Sequence, residues 1–99
     1  MDKIVILYTM KGCSYCHDLK NMLDKENIEY FDRDIDDHKE EYDIFTEITK
    51  NEYVPSFMTI ESPNSKRPKT KLFAPERDFD ELEDGVKIIK EFLKNKKTT

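Results

Sequence analysis

Residues 3 to 8, Lys3-Ile4-Val5-Ile6-Leu7-Tyr8, are apolar at nearly every position and rich in β-branched side chains, the pattern of a strand buried on both faces in mid-sheet. After a short polar stretch, Cys16, Leu19, Met22 and Leu23 recur at helical spacing, which predicts a helix over roughly residues 14 to 26 that stops at Asn27. Residues 28 to 35, IEYFDRDI, read as a second and more exposed strand, parallel to the first because a helix joins them. Tyr42, Ile44, Phe45 and Ile48 mark an amphipathic helix between His38 and Asn51. Val54-Pro55 breaks that pattern. Residues 56 to 61, SFMTIE, predict a third strand, and the polar SPNSKRPK segment with its two prolines suits a turn. A short fourth strand over Lys71 to Phe73 completes a hairpin. Phe79, Leu82, Val86, Ile89, Phe92 and Leu93 carry a last helical stripe. Gly85 inside that stripe costs about 1 kcal/mol relative to Ala, so one helix or two shorter ones are both open. The order βαβαββα, without repeats or linkers, is an α/β sheet with helices on both faces. It forms one domain over residues 1 to 99, with residues 95 to 99 expected to be a frayed tail.

Composition narrows function more than fold. Charged residues at 39% outnumber hydrophobic ones at 36%, so the core is lean, yet the apolar residues fall in periodic groups and the chain should fold. The 17 basic against 22 acidic residues leave a net charge of −5, which gives no electrostatic reason to approach nucleic acid or an anionic membrane. The apolar run Ile4 to Tyr8 is far too short to span a bilayer, and Met1-Asp2-Lys3 has neither the length nor the cleavage site of a secretory signal. A cytoplasmic location is therefore expected. In a reducing compartment a lone cysteine pair is more often redox-active or metal-binding than a structural staple.

Both cysteines lie in the stretch MKGCSYCHDLK. Cys13 falls at the start of the first helix and Cys16 one turn later on the same side, within reach of a disulfide. Free amides and the positive dipole end of a helix stabilise a thiolate, so Cys13 is the better nucleophile and Lys11 is a candidate to add to the effect. Cys16, on the apolar stripe, is better placed to resolve a mixed disulfide. A static disulfide would close only a four-residue loop and be reduced in the cytosol. A zinc site could recruit Cys13, Cys16, His17 and His38, but a structural zinc site shows a second ligand pair at comparable spacing and none is present, so no metal is expected.

With LYTMKGCSYC, YVPSF and LFAPERDFDEL in view, the chain resembles the thioredoxin superfamily and within it the glutaredoxins, over essentially residues 3 to 93. The resemblance implies a thioredoxin-like fold with a central four-stranded mixed sheet. It implies a dithiol–disulfide oxidoreductase, an electron-transport role with no bound cofactor, using glutathione as reducing co-substrate and disulfide-containing proteins as partners, acting as a monomer. Glutaredoxins usually read Cys-Pro-Tyr-Cys, with Cys-Ser-Tyr-Cys a variant, whereas thioredoxins carry a Trp beside the motif and this chain has no Trp. Val54-Pro55 looks like the family's cis-proline, which sets the Val backbone against the cysteine pair to take an extended thiol substrate.

Three positions depart from the family pattern. Met10 stands where a basic residue commonly holds the glycyl carboxylate of glutathione, and Tyr53 stands where Thr is common. The Gly-Gly before the last helix is replaced by Phe73-Ala74-Pro75-Glu76-Arg77-Asp78. The resemblance makes Lys11, Tyr15, Tyr53, Val54, Pro55, Arg77 and Asp78 the substrate-binding candidates, with Asp80 a further candidate for the γ-glutamyl contact. Arg77 also reads as an ordinary surface residue, and the two aspartates as helix caps. The missing Gly-Gly leaves open a thioredoxin-like protein disulfide reductase that does not use glutathione. Ser14, in place of the helix-start proline, leaves open an iron–sulfur carrier. The seven carboxylates between Asp32 and Asp43, and the basic group Lys66, Arg67, Lys69 and Lys71, read as solvated surface.

Overall fold

The computed structural model describes residues 3–94 of the chain, so the tail expected to fray at residues 95 to 99 lies outside the described residues. The elements follow the expected order: β1 (Lys3–Thr9), α1 (Ser14–Lys25), β2 (Phe31–Asp34), α2 (Lys39–Thr49), β3 (Ser56–Glu61), β4 (Lys69–Phe73) and α3 (Leu82–Lys94). The four strands form one mixed sheet in the order β2-β1-β3-β4. β1 runs parallel to β2 and antiparallel to β3, and β3 and β4 form the antiparallel hairpin. No helix among the described residues is long and apolar enough to cross a membrane.

β1 is apolar on both faces because each face has its own core. Val5 and Leu7 point to the layer of α1 and α3, where Leu19, Leu23, Val86 and Ile89 join Phe57 and Phe79. Ile6 and Tyr8 point to the other layer, against Tyr42 and Phe45 of α2. Alternation along a strand imposes this division, and a continuous apolar run is its sequence signature.

The helix ends explain where the strands begin. Asn27 adopts the left-handed conformation at φ 57°. Its N–H donates to Asp24 C=O at 3.1 Å while Ile28 N–H donates to Leu23 C=O at 3.0 Å. This is a Schellman closure with Asn in the position that favours Gly, and it satisfies two orphan carbonyls of α1. Ile28 is spent on that cap and packs on the core, so β2 starts at Phe31 and not at residue 28.

Two further expectations are corrected. α2 buries Tyr42, Phe45 and Thr49, whereas Ile44 and Ile48 are 60% and 62% exposed. They border a groove facing β4. α3 continues without a break through Gly85, but Phe79 lies ahead of the helix, paired by a β-bridge to Pro75. Gly85 packs beneath the rings of Phe57 and Phe79, and a Cβ there would meet them at 3.5 Å, an ordinary contact.

Candidate active site

β1 ends at Thr9, and the chain must turn sharply to start α1. Gly12 takes φ 80°, a conformation that only glycine adopts without strain. Cys13 N–H donates to Met10 C=O at 3.2 Å and closes the turn. Cys13 then sits in extended conformation as the N-cap of α1, and its Sγ accepts the Cys16 N–H at 3.1 Å. A sulfur in the position usually held by a Ser or Asp oxygen receives the amides and dipole that favour negative charge.

Cys13 and Cys16 are joined as a disulfide, with 5.2 Å between their Cα atoms. The two sulfurs are not equivalent to an incoming thiol. Cys16 is 1% exposed beneath the helix, while Cys13 is only half-buried. Cys13 Sγ also lies 4.0 Å from the carbonyl oxygen of Val54. The Val54-Pro55 peptide bond is cis. Among the described residues neither the N–H nor the C=O of Val54 pairs with another backbone group, so both are free to pair with an extended chain.

A cleft of about 370 Å³ adjoins this pair. Tyr15, Tyr53, Val54 and Pro55 line it from the cysteine side. Pro75, Glu76, Phe79, Asp80, Glu81 and Leu82 line it from the segment that leads into α3. The structure thus brings Tyr15, Tyr53, Val54, Pro55 and Asp80 together, but not the remaining candidates. Lys11 is exposed in the turn and is absent from the cleft lining. Arg77 lines the separate groove of α2 and β4, its guanidinium 3.1 Å from Asp78 Oδ2 and 3.5 Å from Leu72 C=O. Asp78 Oδ2 accepts the Ala74 N–H at 2.8 Å and so serves its own turn.

Sequence reasoning passed over Asn51. Its Oδ1 accepts the Tyr53 N–H at 2.9 Å and its Nδ2 donates to Pro75 C=O at 2.7 Å, so one amide fixes both sides of the cleft. An Asn two residues before the turn amide it caps is a readable signal for the first contact, but nothing local announces the second. Glu76 and Glu81 were likewise missed. At the end of β1 the buried Thr9 donates to Asp32 Oδ1 at 2.6 Å, and Lys20 Nζ pairs with Asp32 Oδ2 at 2.9 Å. Partial burial acts to raise the Asp32 pKa, but these two donors outweigh it and hold the carboxyl below its ordinary value. Tyr8 donates to Glu41, which Arg33 also holds. Burial first, and then that carboxylate, push the Tyr8 phenol far above its ordinary range.

The family model for glutaredoxin matches residues 5–59, more than half the chain, from the core of β1 through the cysteine pair and the cis-proline into β3. The chain belongs to the glutaredoxin family. Membership together with the Cys13–Cys16 pair makes it a thiol–disulfide oxidoreductase of the thioredoxin superfamily. A comparison with curated proteins finds no match. The glutaredoxin match ends in β3, so the segment carrying Glu76, Asp80 and Glu81 lies beyond it. No group of three or more His, Cys, Asp or Glu side chains among the described residues is arranged to hold a metal ion.

Proposed function

We propose that the protein reduces protein disulfides and glutathione-mixed disulfides through Cys13 as nucleophile and Cys16 as resolving thiol. The observation that carries this is the asymmetry of the pair: Cys13 is half-exposed at a helix N-cap and Cys16 is buried behind it. In the reduced protein the Cys13 thiolate attacks one sulfur of the substrate, the substrate S–S bond breaks, and the departing thiolate takes up a proton. Cys16 then loses its proton and attacks Cys13 Sγ, releasing the second substrate thiol and leaving the Cys13–Cys16 disulfide. Two electrons pass from the dithiol to the substrate. Two glutathione thiols, as the family suggests, or a reductase protein restore the dithiol.

Val54 supplies backbone pairing for an extended substrate, and Tyr15 and Tyr53 border the path it takes. Lys11 is the candidate cation nearest Cys13 in the chain. Arg77 and Asp78 are left out of the binding set because their contacts lie elsewhere. On this reading the chain works as one domain and as a monomer in the cytosol.

Cys13→Ser should abolish turnover. Cys16→Ser should retain reduction of a small glutathione-mixed disulfide, lose reduction of insulin disulfides, and accumulate a mixed disulfide detectable by mass. An active Cys13→Ser protein would refute the assignment. A second reading, a protein disulfide reductase that bypasses glutathione, is favoured by the absence of Lys and Arg from the cleft lining among the described residues. Parallel assays with glutathione plus glutathione reductase, and with thioredoxin reductase, separate the two.

A further inference from the structure

The cleft beside Cys13 combines exposed aromatic rings with unpaired negative charge. Tyr15 and Tyr53 are 66% and 62% exposed and flank Val54 and Pro55. The carboxylates of Glu76, Asp80 and Glu81 also line it, all on exposed residues, and none is in an ion pair among the described residues. The cations of the surrounding elements do not answer this charge. Arg77 is turned to Asp78, and Lys11 and Lys50 lie outside the lining. The Glu76 carboxylate is held there by a residue at φ 69°, where glycine is the ordinary occupant.

We infer that Glu76, Asp80 and Glu81 set substrate choice, so that the cleft selects disulfides whose cysteine is flanked by arginine or lysine over those flanked by acidic residues. This rests on the oxidoreductase reading above and names its substrate class. Three carboxylates at a docking site raise the encounter rate of a cation and lower that of an anion. Arginine fits twice over, because its guanidinium pairs with carboxylates in a planar fork and stacks on tyrosine faces.

The test uses the full chain, pre-reduced with dithiothreitol and freed of it, mixed with three disulfides in single turnover. Two are fluorescently labelled peptide disulfides identical except that the cysteine is flanked by two arginines or by two glutamates. The third is hydroxyethyl disulfide, which is uncharged. In each, the dithiol gives up two electrons, the substrate leaves as two thiols, and Cys13–Cys16 closes. The arginine peptide should react roughly tenfold faster than the glutamate peptide at about 20 mM salt, with the ratio falling to within about twofold at 0.5 M. The combined variant Glu76→Gln, Asp80→Asn, Glu81→Gln should bring the low-salt ratio towards one, whatever its absolute rates. Glu76→Gly removes one carboxylate while easing the left-handed backbone, so it folds and should lower the ratio part of the way. Equal rates for the two peptides on the unmodified protein would overturn the inference, as would a ratio that survives in the combined variant. If hydroxyethyl disulfide also fails to react, the oxidoreductase reading falls with it. If that disulfide reacts and the peptides do not differ, only the selectivity is lost.

Discussion

Asn51 ties the two sides of the cleft through one side chain, which makes it a sharp place to test how far the site depends on its frame. Asn51→Ala removes the donor to Pro75 C=O at 2.7 Å and the acceptor for Tyr53 N–H at 2.9 Å. A neutral hydrogen bond contributes about 0.5–1.5 kcal/mol, and the exposed Tyr53 end belongs at the low limit, so the sum is about 1–2 kcal/mol. For a domain of this size each kcal/mol lowers the melting temperature by roughly 4–8 °C. Asn51→Asp is the discriminating variant. It keeps the Asx acceptor for Tyr53 but sets a carboxylate against the Pro75 carbonyl in place of a donor. At pH 7 it should therefore be at least as damaging as Ala, and it should recover as acid protonates the new carboxyl, because protonation restores a donor. The assay is urea unfolding followed by far-UV circular dichroism, alongside reduction kinetics of a peptide disulfide and of hydroxyethyl disulfide. The peptide rate should fall more than the small-disulfide rate, since only the peptide needs both sides of the cleft. An Asn51→Ala protein within about 0.5 kcal/mol of the parent, or an Asn51→Asp protein as stable as the parent at pH 7, would refute the reasoning.

Other substitutions test neighbouring parts of the argument. Thr9→Val deletes the hydroxyl that donates to Asp32, at a cost of about 1–2 kcal/mol at neutral pH once the half-exposed carboxylate is discounted. Because the Asp32 pKa is depressed in the folded state, its contribution is present above its ordinary value of 3.8 and is lost as the pH falls through the lower folded value. The penalty should therefore be level from pH 5 to 8 and shrink only below 3.8, as urea titrations across that range would show. Gly85→Ala should stabilise by about 0.5–1 kcal/mol in the same assay, since helix propensity improves and the added methyl meets Phe57 and Phe79 at ordinary distance. Arg77→Ala should change the single-turnover rate on a peptide disulfide less than twofold, because the guanidinium faces the α2–β4 groove; a tenfold loss would restore it to the site.

The sequence showed the elements most clearly where local pattern and tertiary demand coincide. β3 runs over the residues its pattern predicts, and β1 extends one residue further to Thr9, because both are central strands whose side chains are fixed on two faces. β2 is shorter than the pattern over residues 28 to 35 predicts, because Ile28 and Tyr30 are apolar for reasons of capping and core contact, not strand pairing. In α2 the stripe included Ile44 and Ile48, yet a helix of 11 residues leaves sides unfilled unless a neighbour covers them, and β4 stands across a groove. Cys13, Cys16, Val54 and Pro55 were visible because spacing and resemblance both mark them. The position of Arg77 depends on the left-handed Glu76 one residue earlier, which no propensity reveals. The Asn51–Pro75 and Thr9–Asp32 contacts link residues 24 and 23 positions apart, beyond any local pattern.

What converts those readable residues into a site is strand register. Tyr8 pairs with Ser56 across β1 and β3, so the end of one strand and the start of the other meet at the same edge of the sheet. The turn carrying Cys13 leaves from that edge, and Pro55 enters at it. A slip of two residues would preserve the inward and outward faces, so burial alone does not forbid it, but it would carry Val54 about 7 Å along the sheet, away from Cys13. The ring contacts forbid it. Phe57 stacks on Phe73 with 4.8 Å between centroids and tilts against Phe79 at 5.5 Å, both on the layer of α1 and α3. Displacing Phe57 along β1, together with its β4 partner Phe73, would break the contact with Phe79 and leave a void under Gly85. The aromatic core beneath α3 therefore fixes the register that sets the Val54 backbone beside the thiol, and it links the stability of one face of the sheet to the chemistry at its end.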